Sequence, residues 1–282
     1  IMGARGEKRV AAKKAANKKT SPMLSASAAG SDVLYGFLMS DGTEDYLPGL
    51  VTISLDGNAT TSLMQESFLN ISAGTCVLND VYLQTYSGYT MAPDGFYSKN
   101  IETGEEQLIT TYDSNDPLFF DMTYDENAGV IYAIGSLLTD ELTSLYSISY
   151  TTGEYEKIMD LDYNLFTVAA ASDGYLYSIN DLGELFRISV EYQSCDYVEW
   201  TGYFPAYLQS MTYNPNDGLL YWGLFTEEGT SSLLTVETEY GMTEVVSETL
   251  GNNAEIGALF FRSDPTLLLV PAASSNLNVF IG

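Results

Sequence analysis

The 282-residue chain contains no histidine. Its absence removes the side chain that titrates nearest neutrality, and with it the Ser-His-Asp arrangement, the usual general base and most zinc sites. Cysteine is nearly absent too, and Cys76 and Cys195 stand so far apart in the repeats described below that they read as isolated buried thiols rather than a disulfide. Cations are scarce outside one end. Of 11 Lys and Arg, seven fall in the first 20 positions, which leaves Lys99, Lys157, Arg187 and Arg262 for the rest. Residues 21–282 therefore set 4 basic against 37 acidic residues, a formal charge of −33. Such a body repels nucleic acid and anionic membrane surfaces and lacks the Arg and Lys for a phosphate clamp. No apolar run approaches the roughly 20 residues that span a bilayer, so no transmembrane segment is expected.

What the chain has in quantity is tyrosine, glycine and repetition. The segment Ser210-Met-Thr-Tyr-Asn-Pro-Asn-Asp-Gly-Leu-Leu-Tyr-Trp-Gly223 joins two apolar and aromatic runs through a cluster of turn formers, which is the pattern of a β-hairpin. Versions of it recur at Asp121–Tyr132 and Val168–Tyr177, with fainter copies at Leu24–Tyr35, Thr75–Tyr82 and Ala258–Leu269. Taking Tyr35, Tyr82, Tyr132, Tyr177, Tyr221 and Leu268 as equivalent positions, the steps are 47, 50, 45, 44 and 47 residues. A period of about 40–50 residues filled with short strands is that of propeller blades. Helical arrays share the period, but alternation in twos, broken every few residues by Gly, Asn or Asp, excludes long helices. The spacing predicts an all-β chain folded as a six-bladed β-propeller of four-stranded antiparallel blades. The six anchors would lie on second strands.

A second repeated device supports this. Phe96-Tyr-Ser-Lys-Asn-Ile-Glu-Thr-Gly-Glu105 matches Leu145-Tyr-Ser-Ile-Ser-Tyr-Thr-Thr-Gly-Glu154, with Gly seven residues after Tyr where a tight turn needs positive φ. Leu234 and Gly241 keep that spacing, whereas Gln193 follows Phe186, which predicts a different turn there. The Asn-Pro-Asn-Asp-Gly-Leu-Leu-Tyr-Trp segment at 214–222 resembles the hairpins of YWTD-type six-bladed propellers, with Gly223-Leu224 where that motif has Thr-Asp. The Thr-Gly-Glu turns at 103–105 and 152–154 resemble those of quinoprotein-like and other bacterial secreted propellers. The resemblance implies architecture alone, because propellers serve as hydrolases, lyases, dehydrogenases and binding modules. No catalytic residue carries over.

In domain terms, residues 1–20 read as a basic flexible arm and 21–282 as one propeller domain. The start at Ile1 rather than Met is read as a sign of upstream sequence such as an export signal. The last blade shows strand candidates at 257–262, 266–271 and 277–282 but no fourth. The missing strand is expected from further sequence, since a Lys-Ala-rich arm is a poor strand former.

Chemistry must then come from carboxylates, aromatics and loops. Asp160, Asp162 and Asn164 have the Asp-x-Asp-x-Asn spacing that opens a calcium loop, so calcium is the ion considered, but Leu165 and Ala171 occupy the places of the required Gly and closing Glu. No other cofactor is expected. Connections from second to third strands and between blades run longer than the turns on the opposite face, which marks one face as functional. On it, Trp200-Thr-Gly-Tyr-Phe-Pro-Ala-Tyr-Leu-Gln209 concentrates Trp200, Tyr203, Phe204 and Tyr207. These rings suit a sugar or a protein hot spot, while packing between blades is the plainer role for them. The expected function is a secreted, periplasmic or cell-surface binding module for a glycan or protein partner. The alternative is a carbohydrate-active lyase or hydrolase using carboxylates and Tyr at the channel mouth. Because residues 1–20 lack apolar periodicity, deleting them should shift the melting temperature by less than about 2 °C at physiological salt. A calorimetric drop of many degrees would make the arm a structural strand.

Overall fold

A computed structural model describes residues 33–40, 46–87, 92–206 and 209–262. They form twenty strands and, among the described residues, no helix. Blade I holds β1 (Leu34–Ser40), β2 (Gly49–Ile53) and β3 (Thr61–Glu66), and its innermost strand is β20 (Glu255–Phe261). Blade II runs outward through β4 (Ile71–Val77), β5 (Asp80–Ser87), β6 (Ala92–Asn100) and β7 (Glu106–Thr111). Blade III follows with β8 (Leu118–Asp125), β9 (Val130–Ser136), β10 (Ser144–Ile148) and β11 (Tyr155–Asp160). Blade IV is β12 (Ala169–Ala170), β13 (Leu176–Ile179), β14 (Glu184–Ser189) and β15 (Ser194–Trp200). Blade V is β16 (Ser210–Asn214), β17 (Leu219–Phe225), β18 (Ser231–Glu237) and β19 (Thr243–Ser247).

The described chain is thus a β-propeller of five blades, not the six that the spacing predicts. Tyr35, Tyr82, Tyr132, Tyr177 and Tyr221 do occupy equivalent places on second strands, whereas Leu268 and the strand candidates at 266–271 and 277–282 lie outside the described residues. The miscount has a physical cause. The first repeat supplies only the outer three strands of blade I and the last supplies its inner one, with Leu34 of β1 opposite Phe261 of β20. Closing the ring merges two partial copies into one blade, and it needs no further sequence to do so.

Each seam between adjacent blades carries one apolar cluster, so the core is a ring of five wedges. The outermost strands show how the wedges are filled. All five carry a bulge at the same place, where Met64, Ile109, Ile158, Val198 and Val246 are the extra residues. Ile109, Ile158, Val198 and Val246 turn that extra side chain into the neighbouring seam cluster. The same bulge twists each exposed edge away from pairing with another sheet. Turns between third and fourth strands repeat as well: Gly104, Gly153 and Gly241 have φ of +73°, +71° and +62°. Gln193 keeps the left-handed turn at φ +49°, so blade IV does not change turn type for want of glycine. An L-residue there costs about 1 kcal/mol, which an exposed loop tip tolerates.

The axis is held by Asp121. In the five innermost strands, the amides of Gly74, Met122, Val168, Met211 and Leu259 stand at equivalent positions, one layer of the ring. The Asp121 carboxylate accepts from Val168 N at 2.9 Å, Met211 N at 3.0 Å and Ser210 Oγ at 2.7 Å, and from its neighbour Met122. Ser210 Oγ in turn accepts from Leu259 N at 2.9 Å. Blades I, III, IV and V are tied through two side chains, Asp121 and Ser210, both completely buried. Blade II joins through Gln84, which accepts from Phe119 N at 2.6 Å and donates to Pro117 O at 2.9 Å.

Burial pushes the Asp121 carboxyl up to about 8, against the pull of its four donors. An unfolded Asp titrates near about 3.9, so the folded protein keeps a proton that the unfolded chain releases between about pH 4 and 8. The site's stabilisation is therefore full at the acid end of that window and falls as pH rises through it. Asp121→Asn retains an oxygen for the amides and an N–H for Ser210, and should lose this slope. Denaturant titrations should find its stability gaining on wild type by on the order of 3 kcal/mol between pH 5.5 and 8.5. Asp121→Ala, which strands the donors, should cost about 3–5 kcal/mol at pH 6.

Candidate functional site

Strand order places the connections inside blades between second and third strands, and those between blades, on one face of the ring. Over blades III to V these connections are hydrogen-bonded into a continuous arc. Thr143 Oγ1 donates to Tyr163 O and accepts from Leu165 N, both at 3.0 Å, joining 137–143 to 161–168. Phe166 N donates to Ile179 O at 2.9 Å and Asp181 N to Asn164 O at 3.3 Å, joining that segment to the 180–183 turn. The turn itself follows from Asn180, whose Oδ1 accepts from Leu182 N at 3.0 Å and Glu184 N at 2.8 Å. From there Gly183 O accepts from Thr201 N at 2.9 Å and Thr201 Oγ1 at 2.7 Å. Gly183, at φ +74°, lies so close beneath Tyr203 O that a Cβ would stand 1.8 Å from it. Ala206 N donates to Phe225 O at 2.8 Å and ties the arc to blade V.

The arc displays rings and aliphatic side chains to solvent. Trp200 ends β15, donates Nε1–H to Leu182 O at 3.1 Å and lies 5.8 Å from Phe204 between ring centroids, at 50°. Leu182 is 49% exposed and Leu138 73%. Tyr163 lies 4.3 Å from Phe186, which is fully buried beneath it, and keeps 38% of its own surface exposed. Acids border these groups: Asp140, Glu141, Asp162, Asp181, Glu227 and Glu228 are all exposed. Burial, reinforced by neighbouring Glu184, raises the Asp181 carboxyl above its ordinary value.

Of the four aromatics expected on 200–209, the structure pairs half-buried Trp200 with exposed Phe204. Tyr203 turns inward, with its ring 6.4 Å from Trp222 and at 86° to it, in the seam between blades IV and V. Tyr207 lies outside the described residues. Leu138, Tyr163 and Leu182 escape a reading by aromatic density because their connections hold few rings: none at 137–143 or 180–183, and Tyr163 and Phe166 at 161–168. The signal that marks them is an apolar side chain among turn formers, as in Asn180-Asp-Leu-Gly183.

At the same face, near the axis, Glu255 opens β20 and Tyr86 nears the end of β5. Burial raises the Glu255 carboxyl, while burial and the charge of Glu255 raise the Tyr86 phenol. The axis below is plugged by the Asp121 layer rather than open. The Asp160, Asp162 and Asn164 set fits a dication poorly. Asp160 Oδ1 already accepts from Lys157 Nζ at 2.9 Å and Ser144 Oγ at 3.0 Å, and the Lys157 ammonium holds its carboxyl below the ordinary range. Among the described residues no three His, Cys, Asp or Glu gather as a metal group. Cys76 and Cys195 are free thiols in blades II and IV, each pushed up to about 12 by burial.

No protein-family model matches the chain, and no curated protein matches it. Among solved structures it is similar to a chain of a nidogen/laminin complex, at 11% identity and TM-score 0.50, over 82% of this chain and 97% of that one. It is also similar to a protein of unknown function from Bacteroides thetaiotaomicron, at 12% identity and TM-score 0.47 over 77% of this chain. A third likeness is to TolB from Acinetobacter baumannii, at 11% identity and TM-score 0.48 over 81% of this chain. The chain spans only 65% of the length of each of the latter two. Likeness at this identity concerns the fold alone, and no helix among the described residues is long and apolar enough to cross a membrane.

Tyr203→Ala should destabilise the fold by about 2–3 kcal/mol, because it opens the seam beside Trp222. Phe204→Ala, at the surface, should cost under about 1 kcal/mol. Urea midpoints of the two variants provide the comparison, and equal losses would place both rings in the core.

Proposed function

We propose that this protein is a non-catalytic binding module that docks a protein partner on the arc formed by the long connections over blades III to V. One observation carries the reading. Exposed Leu138, Tyr163, Leu182 and Phe204, with half-buried Trp200 beside them, sit on four connections that are mutually hydrogen-bonded, so the apolar surface is ordered before a partner arrives. A preorganised surface loses less side-chain and loop entropy on association, and large rings with polar tips are the usual anchors of protein interfaces. The spread over several connections, with aliphatic as well as aromatic side chains, suits a protein better than a single sugar ring. The acidic border, on a body with a formal charge of −33 from residue 21 onward, favours a segment with Lys or Arg around an apolar anchor. The partner would be met outside the cytoplasm, with the protein secreted, periplasmic or at the cell surface.

A carbohydrate-active role is the second reading, and it draws on the raised carboxyl of Glu255 beside Tyr86. A raised carboxyl at a mouth is what a general acid requires. Release of reducing ends from plant and bacterial polysaccharides, abolished in Glu255→Gln, would establish it in place of the module.

The docking surface is tested by selecting a displayed peptide library on wild type and on Trp200→Ala, with a glycan array run beside it. The expected outcome is enrichment of basic peptides with an apolar anchor, their affinity weakened by about 2 kcal/mol or more in the variant. Affinity should also fall as NaCl rises from roughly 0.05 to 0.5 M. Peptides that bind wild type and variant alike, or glycans that bind the arc instead, would overturn the protein-docking reading.

A further inference from the structure

One seam of the ring departs from the other four in several respects at once. On third strands, the residue paired with the one before the anchor tyrosine is Ile53, Ile148, Ile188 or Val236 in blades I, III, IV and V, all buried in seam clusters. In blade II that place is taken by Lys99, paired with Val81 and only 2% exposed. A charge in a core position of a repeat is a local rule broken at one copy, and such places concentrate at functional sites. Lys99 is held by Glu106 Oε1 at 3.0 Å and by Glu66 O and Gly104 O, both at 3.4 Å. Ser67 Oγ donates to the same Glu106 oxygen, and Oε2 of Glu106, on a side chain 31% exposed, accepts no hydrogen bond among the described residues.

Around this pair the seam between blades I and II is open. The Lys99–Glu106 pair lines a cleft of about 400 Å³ with Ser67 and Phe68. Phe68 is 81% exposed, the highest value for any large apolar side chain among the described residues. The bulge residue of this seam, Met64, is 43% exposed, where its four counterparts pack inward. Beside Gly104, Gln65 donates Nε2–H to Ile101 O while its buried Oε1 has no partner, an acceptor waiting for a donor.

We propose that this cleft is a second ligand site, distinct from the arc, and that it takes a neutral saccharide. The cleft volume falls within the about 300–1,000 Å³ of small-molecule sites. An exposed ring such as Phe68 offers its face to the C–H face of a pyranose, while an adjacent hydroxyl donates to Glu106 Oε2 on the carboxylate that Lys99 holds in place. Anions are disfavoured, because Glu106 and Glu66 outnumber Lys99 here and the whole body repels them. The claim stands apart from the docking arc. Blade II contributes the lysine, and the arc lies over blades III to V.

The repeat itself supplies the test. Lys99→Ile restores the residue of blades I, III and IV; it leaves Glu106 without its ammonium, but that carboxylate is 31% exposed and keeps contact with water, so the loss is smaller than for a fully buried charge. Phe68→Ala removes an exposed ring and should leave the melt unchanged. Saturation-transfer NMR would probe wild type and both variants with the methyl glycosides of glucose, galactose, mannose, xylose and N-acetylglucosamine and with their β-1,4-linked disaccharides. We expect transfer to at least one of these from wild type, weakened tenfold or more in both variants, with the Phe68→Ala melting temperature unchanged. No transfer to any of them from wild type would overturn the proposal. So would transfer that persists in Phe68→Ala, even if Lys99→Ile failed to fold.

Discussion

Closing a sheet-built ring brings five inner strand edges together at a buried axis, and each edge carries amides with no strand to pair with. A buried amide without an acceptor costs about 1–3 kcal/mol, so a ring that leaves a full layer of them unmet forfeits much of a normal domain's stability. Asp121 answers this with one carboxylate that takes three amides and a hydroxyl, and Ser210 relays the bond to Leu259 of blade I. The converging N–H dipoles make a place for negative charge, while burial resists it, and the two together set the unusual proton affinity of the group. Gln84 and Thr123 serve neighbouring layers in the same way, with Thr123 Oγ1 accepting from Ala170 N at 3.0 Å.

The outer rim solves the opposite problem. Five outermost strands end the sheets with open edges, and each is bulged at the same register. One extra residue both spoils the edge as a template and fills the widening wedge between blades, which is why four of the five are β-branched and apolar. Axis and rim thus hold a scaffold rigid enough that its long connections can be knitted together rather than left as separate loops. The arc over blades III to V is the product: its shape rests on Asn180, Gly183, Thr143 and Thr201, and none of these is itself a contact residue of the proposed interface.

In a repeat protein, the copies define what packing alone asks for, so a copy that departs from them shows what packing does not explain. Asp121 departs, and the ring's central bonds explain it. Gln193 departs, and its exposed turn tolerates it. Lys99 departs, and the wedge it occupies is left more open than the others, with Phe68 and Met64 turned outward. This contrast among otherwise equivalent positions separates the scaffold from its candidate sites in a chain without histidine.

Strand alternation, turn formers and period made the all-β class, the repeated hairpin and the equivalence of Tyr35, Tyr82, Tyr132, Tyr177 and Tyr221 legible in the sequence, because these depend on contacts within about fifty residues. The face with long connections was legible too, and so was the aromatic 200–209 link, though not that Tyr203 would face inward while Trp200 and Phe204 stay out. Blade number was not. It depends on β20 pairing with β1 across more than two hundred residues, and a linear period counts both partial ends as blades. Nor could the sequence distinguish Asp121 or Lys99 among their many charged neighbours: a carboxylate becomes the hub of a ring, and an ammonium the floor of a cleft, only when distant strands exclude water around them. Composition and local pattern determined what kind of surface each segment could present, and closure of the ring decided which of those surfaces were buried, which were joined, and which were left exposed.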